Sequence, residues 1–525
     1  MEETRSQPLE PEMRVRRVAV LFGDIAGFTK PGEKLAAQGN RGAEELSRVL
    51  EAYLGRLVSI VALHGGEIVR FAGDAPIVLW SGDDSLEAAT RRAAQCALYL
   101  QAQLHDHVVT EGSALGLRIG VSAGTVTEAI VGGGQGRWEY VVLGRPIVEA
   151  GAAQSGAALG QVVATAAAWQ WLEASCQREQ ARVLAVRDPL PLEPLIYPQL
   201  SPEATRRAAA FVSRALTARL EAGHADWLPE LRRVSVLFVS LEGLDESGPD
   251  ALDRLQAATR VLQAAVYQLD GSVNQFLVDD KGTVLLAVWG VPTRTHEDDP
   301  ARAVLAGRQI LAGLRSLGMK ASAGVSTGRV FCGFRGGAAR RDYAVMGATV
   351  NLAARLMGLG DGSVMTDETT ANAAASRLAF EALPAKQIKG KHQPVIPYRA
   401  LTTVVRAEVH PATPVFGRRA EQEILNRALF GLTQRRGSVV VLEGEAGIGK
   451  SCLTLAFERD ARAQGVQILH GATDGMEHAT PYFAWRAVVA GLFGLADTDE
   501  LPRRREVVLQ RLQQEPAWTP LAAFL

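Results

Sequence analysis

Most of the first four hundred residues of this chain are written twice, and that repeat limits the fold more than any other feature. RRVAVLFGDIAGF, Arg16 to Phe28, returns as RRVSVLFVSLEGL, Arg232 to Leu244. GVSAGTV from Gly120 returns as GVSTGRV from Gly324, and YVVLGRPI from Tyr140 as YAVMGATV from Tyr343. The pairs lie 216, 204 and 203 residues apart, so the copies are collinear apart from loop lengths. A repeat this long duplicates a whole domain and is not a solenoid.

Each copy carries the same coarse pattern. An apolar strand (VAVLF or VSVLF) leads through a turn into a helical stretch, and a hairpin follows. The hairpins are GGEIVRFAGDAPIVLW and DGSVNQFLVDDKGTVLLAVW; a helix rich in Ala, Leu and Arg and further short strands come next. Strands and helices alternate without βαβ glycine signatures, which predicts an α+β sheet with helices packed on it. The expected organisation is a flexible N-terminus at 1–14, a first domain at 15–200 and a helical linker at 201–231. A second domain at 232–402, a linker at 403–414 and a third region at 415–525 complete it.

Composition narrows the function classes. The formal net charge of -1 argues against nucleic acid or an anionic membrane as a general partner. The sequence has no long uncharged apolar run, so no transmembrane helix is expected. The polar, mixed-charge N-terminus is unlike a signal peptide. Cys96, Cys176, Cys332 and Cys452 lack a paired spacing and read as reduced thiols of a cytoplasmic protein.

Two carboxylates in the first copy draw attention. Asp24 follows a strand of five apolar residues, and Asp74 sits in the hairpin turn of FAGDAPIVL. Such a pair suits Mg²⁺, which takes one or two carboxylates plus substrate phosphates. Spacing alone favours the turn or helix-cap reading.

FGDIAGFT and RFAGDAPIVLW resemble the metal-binding segments of class III nucleotidyl cyclases. The tandem arrangement is most similar to the soluble, bicarbonate-responsive adenylyl cyclases, in which two cyclase domains precede a P-loop ATPase. The resemblance covers about residues 15–402. It implies two ferredoxin-like domains forming a pseudo-two-fold dimer within one chain. It further implies conversion of ATP to cyclic AMP and pyrophosphate, in intracellular signalling, with two Mg²⁺ (or Mn²⁺) held by Asp24, Asp74 and the backbone carbonyl of Ile25. Phe28 and Thr29 fall in the turn that cradles the triphosphate. Arg118 stands where relatives offer a basic residue to the terminal phosphates, though an exposed strand-end arginine is an equal reading.

The second copy has Ser240 in place of Asp24 but carries the complementary set. In DYAVMGATVNLAARLM, Asn351 and Arg355 stand four apart on one helix face. The resemblance gives Asn351 the ribose, Arg355 the α-phosphate and Lys281 the adenine. The first copy has Val148 and Ala152 at the Asn and Arg positions. The losses are complementary, which predicts one working site and one degenerate site, and a chain able to act as a monomer.

The chain also departs from the family. Relatives place Thr or Asp where Ala344 stands, so adenine recognition falls to Lys281 and the Val345 backbone. Losing one polar contact costs about 1 kcal/mol of discrimination. That keeps a guanylyl or dual-specificity cyclase open as an alternative. So does a non-catalytic nucleotide-binding module that regulates the ATPase. At the degenerate pocket Arg70 stands where the animal enzymes have a Lys, but Gly151 stands where they have an Arg. Arg70, with Val142 and Val284 beside it, is thus a reduced candidate anion (bicarbonate) site.

After the linker, GSVVVLEGEAGIGKSCLTLAF fits G-x-x-x-x-G-K-S after a strand and opening a helix. Gly444, Gly447 and Gly449 admit phosphate to the backbone, Lys450 reaches the β- and γ-phosphates, and Ser451 suits Mg²⁺. This marks a second nucleotide site in an α/β P-loop NTPase resembling AAA-related signalling ATPases. No Walker B strand follows, and the chain reads as part of a longer sensor.

Overall fold

The computed structural model describes residues 9–27, 40–73, 75–110, 113–197, 199–212, 230–243, 248–279, 282–291, 295–337, 340–388, 393–401, 417–443, 450–469, 471, 483–495 and 506–510. They fall into two compact units, Met1–Val404 and Val405–Leu525.

The first unit realises the repeat as two sheets of one topology. In the first domain the strands are β1 (Glu12–Ala26), β2 (Glu67–Ala72), β3 (Ala75–Ser81), β4 (His107–Thr110), β5 (Ser113–Gly134), β6 (Arg137–Leu143), β7 (Val162–Ala164), β8 (Cys176–Glu179) and β9 (Arg182–Val186). Their order is β2-β3-β1-β5-β7-β9-β8, with β4 and β6 pairing β5. The second domain has β10 (Glu230–Glu242), β11 (Ser272–Asp279), β12 (Gly282–Trp289), β13 (Lys320–Gly337), β14 (Arg340–Met346), β15 (Val364–Thr366), β16 (Phe380–Ala382) and β17 (Tyr398–Ala400). Its order, β11-β12-β10-β13-β15-β17-β16 with β14 on β13, repeats the first. The α+β expectation holds.

The uninterrupted apolar run of β1 has a simple cause: both faces of its sheet are covered. Ala19 and Leu21 pack with Leu54, Leu57 and Leu100 of the helices Asn40–Leu63 and Leu86–Leu104. Val18, Val20 and Phe22 face the other way, onto Ile77, Leu79 and Ile147. Each such side chain contributes about 1.5–3 kcal/mol on full burial. The recurring GVS motif is explained by close approach. A Cβ on Gly120 would stand 2.0 Å from the Ala150 carbonyl oxygen, and one on Gly324 2.2 Å from that of Ala353. These glycines seat the helices Arg145–Gly156 and Ala348–Met357 directly on the strands.

Two boundaries differ from the expected ones. β1 begins at Glu12, inside the segment read as a flexible terminus, because Glu12 to Arg17 pair in register with β5. β10 likewise starts at Glu230, within the expected linker, of which the helix Pro202–Ala209 is described. The linker returns to the first domain, where Trp138 N donates to Ala210 O at 2.9 Å.

In the second unit, the helices Arg419–Thr433 and Lys450–Ala463 bury Leu425, Leu429 and Leu453. The strand expected ahead of the P-loop is not formed over 438–443, and Val439 is 92% exposed. A strand exists only through a paired neighbour, and none is present among the described residues of this unit.

The four cysteines are free, and burial pushes the thiols of Cys96, Cys176 and Cys332 up. Among the described residues no helix is long and apolar enough to cross a membrane.

At the β1–β5 ladder Glu128 is buried opposite Arg14 and accepts from Arg16 at 2.6 Å. Burial alone would raise its pKa, but the Arg14 and Arg16 hydrogen bonds outweigh it and hold the carboxyl below the usual range. A depressed folded pKa stabilises above the unfolded value, about 4.3, and that stability fades as pH falls through the depressed value. Unfolding free energy measured against pH should therefore drop on the acid side, and Glu128→Gln should flatten that limb while lowering stability at pH 7.

Candidate active site

β1 carries Asp24 to its C-terminal end, where it stands in register with Arg118 on β5. The side chains meet: an Arg118 Nη2 donates to Asp24 Oδ2, with both groups partly exposed. The neighbouring Ile25 side chain is sunk in the core at 4% exposure.

The hairpin of β2 and β3 closes with Ala72 opposite Ala75, and Gly73 follows Ala72 at φ +67°. Asp74 itself lies outside the described residues, as do Phe28, Thr29, Lys281, Gly444, Gly447, Gly449 and the Ser451 side chain.

The strand β2 is the outer edge of its sheet. Its outward carbonyls are taken by the second domain. Arg340 donates to Val69 O at 3.0 Å and Gln275 to Phe71 O at 2.8 Å. Arg335, 1% exposed, donates to Phe71 O at 3.3 Å and also to Gly73 O. The Arg335 guanidinium lies 4.8 Å from the Phe71 ring centroid and 3.2 Å from the Asp342 carboxylate. A buried charge is tolerated only with such pairing. Sequence reading missed all three donors. The signals that could have found them are a lone arginine in the apolar run VFCGFRGG, where the first copy has Val131, and the recurrence of RWEY at 137–140 as RRDY at 340–343.

The other half-site sits on the helix Ala348–Met357. Leu352, Ala353 and Leu356 are buried beneath it. Asn351 is exposed and Arg355 half-exposed, one turn apart. Among the described residues neither side chain makes a hydrogen bond or ion pair. Met357, at the end of this helix, packs with Leu277 and Val284, and Ala72 of the first domain joins that cluster. The first domain's hairpin thus packs against a cluster to which the end of this helix belongs. Ala344, 1% exposed, is paired with Gly333, and Val345 with Cys332, within the β13–β14 ladder.

At the degenerate side Arg70 donates to Tyr140 O at 2.8 Å. Arg70 and Val142 share a cavity of about 20 Å³, room for one water. Val284 is absent from its wall, since it pairs with Leu277 and packs with Met357. In the second unit Lys450 opens its helix as expected of a P-loop lysine.

Two repeated domains of one sheet topology make up the first unit. The chain belongs to the adenylate and guanylate cyclase catalytic domain family, whose pattern matches residues 11–193 and 261–399, and an AAA ATPase domain follows at 414–523. It is similar to adenylate cyclase type 10 of Homo sapiens, at 26% identity over 563 residues, covering 96% of this chain and 34% of that protein. The Rattus norvegicus protein of the same name is 26% identical over 501 residues, covering 86% and 31%. The chain therefore spans about a third of the length of these curated relatives. Among solved structures, a class III adenylyl cyclase-like ATP-binding protein from Pseudomonas aeruginosa gives a TM-score of 0.49 at 14% identity, covering 69% of this chain and 85% of that one.

Removing Arg335 leaves the Gly73 carbonyl without its donor and Asp342 without its partner. Arg335→Met should lower the unfolding free energy by about 3 kcal/mol, as breaking a buried pair does. A urea midpoint that falls at constant m would register the loss.

Proposed function

We propose that this chain is an adenylyl cyclase that converts ATP to 3′,5′-cyclic AMP and pyrophosphate at one site between its two cyclase domains. The observation that carries the reading is the division of labour. Asp24 and the Asp74 hairpin belong to the first domain, while the uncommitted Asn351 and Arg355 belong to the second, and Ala72 of the first domain packs on the cluster that holds Met357 of the second.

The residues suit a pair of Mg²⁺ or Mn²⁺ ions. Asp24 offers a partly exposed carboxylate at a strand end, and such hard cations ask for few protein oxygens when phosphates supply the rest. Asp24, Asp74 and the Ile25 carbonyl would hold them. When bound, such ions lower the pKa of the attacking 3′-hydroxyl and neutralise phosphate charge.

The remaining work is done by the chain. Arg355 meets the charge that develops on the α-phosphate, and Asn351 holds the ribose so that the 3′-hydroxyl lies in line. Arg118 swings from Asp24 to the terminal phosphates. Lys281 and the Val345 backbone read adenine, with Ala344 adding no polar contact of its own, so rejection of GTP is looser than a paired Lys and Thr would give. A second nucleotide binds at Lys450 and Ser451, where the helix N-terminus and the lysine both favour phosphate.

Residues 1–402 incubated with Mn²⁺ should produce cyclic AMP from ATP and less cyclic GMP from GTP. Asp74→Ala and Arg355→Ala should each lower turnover by roughly 10²-fold or more, the scale of losing one charge-stabilising group. Folded protein that binds ATP yet yields neither product would overturn the reading.

A further inference from the structure

Away from Asp24, Asn351 and Arg355, a cavity of about 740 Å³ lies on the seam between the two cyclase domains. That is the size of an ordinary small-molecule site. β2 and β6 of the first domain and β11 and β14 of the second form its walls, and the linker closes one side through Phe211 and Val212. Related positions of the two copies face one another across it, Arg137 with Arg340 and Tyr140 with Tyr343.

The charges in this cavity do not balance. Arg70, Arg137, Arg340 and Arg341 line it with three carboxylates. Glu139 lies 3.2 Å from Arg137 and Asp342 3.2 Å from Arg335, while Glu67 has no ion pair among the described residues and leaves the cations in excess by one. Arg70 and Arg340, one from each domain, are not matched in this way. Each donates to a backbone carbonyl, Arg70 to Tyr140 O and Arg340 to Val69 O, and among the described residues neither has an ion-pair partner. Burial, and with it the like charge of Arg70, pushes the Arg340 guanidinium down despite the pull of Asp342. The Arg340 Nε is buried without a hydrogen-bond acceptor, as is Arg137 Nη1. Two cations lining one partly desolvated space favour an anion between them. Trp138, Tyr140 and Tyr343 add aromatic surface beside them.

We propose that this cavity is a binding site for a small organic anion with a flat ring, such as an aryl carboxylate or sulfonate. Its acid group sits between Arg70 and Arg340, and its ring lies against Trp138 and the paired tyrosines. The site differs from the 20 Å³ space beside Val142, which has no room for such a molecule. It stands on the fold and the charge placement, and does not require the chain to be an active cyclase.

Isothermal titration of the full chain with 1-naphthalenesulfonate tests this without any readout of turnover. The expected result is saturable binding of one molecule per chain, weakened at least tenfold by Arg340→Gln and by Trp138→Ala. The uncharged 1-naphthalenemethanol should bind at least tenfold more weakly. Because Arg340 also holds β2, Arg341→Glu at the exposed rim serves as a second variant that leaves that bond in place, and it too should weaken binding. Asp24→Asn and Lys450→Ala should leave binding unchanged, separating this cavity from the catalytic and P-loop sites. Absence of saturable binding, or binding that survives Trp138→Ala and Arg341→Glu or is lost with Asp24→Asn, would overturn the proposal.

Discussion

Along the outer edge of β2, carbonyls that no strand takes up are met by donors from the other domain. An edge strand with free polar groups invites pairing with whatever strand arrives. Here the carbonyls of Val69, Phe71 and Gly73 are claimed by Arg340, Gln275 and Arg335. The strand that leads into Asp74 is therefore aligned by side chains of the domain that carries Asn351 and Arg355. Assembly of the seam and placement of this hairpin are one event. Arg335 makes the arrangement exacting, since a guanidinium at 1% exposure tolerates no slip away from its carbonyls and Asp342.

The two copies keep one topology but seal the seam with different chemistry. The helix Asn40–Leu63 crosses β13 where Gly55 faces Gly337, and a Cβ on Gly337 would lie 3.0 Å from Gly55 Cα. The related helix Ala251–Gln268 approaches β5 through polar side chains instead. Gln256 both accepts from Gly132 N at 2.7 Å and donates to Gly132 O at 2.9 Å, and Gln263 accepts from Gly134 N at 2.9 Å. Close backbone contact on one side and amide hydrogen bonds on the other make the two halves of the seam chemically distinct.

Much of this was legible in the sequence, for identifiable reasons. The repeat, the apolar strands and the hairpins could be read because burial on both sheet faces writes long apolar runs. Asn351 and Arg355 could be placed on one helix face because helical periodicity does so directly. The seam could not be read. Arg335, Gln275, Gln256 and Gln263 act on backbone groups far away in sequence, and no local pattern encodes such a partner. The strand expected at 438–443 misled for the opposite reason: VVVLE has the composition of a strand, but composition does not supply a neighbour. The pairing of Glu12 to Arg17 with β5 was hidden because charged residues on an exposed edge look like a disordered tail.

The linker that leaves the first domain and returns through Trp138 and Ala210 also covalently joins the two halves of the seam. A tether turns association into an intramolecular step, at an effective concentration on the order of millimolar. Such halves need little affinity of their own, and surfaces freed from recognising a separate partner can diverge. On this view, tandem fusion frees the two copies to differ, as they do where Ser240 stands in place of Asp24 and Val148 and Ala152 in place of Asn351 and Arg355.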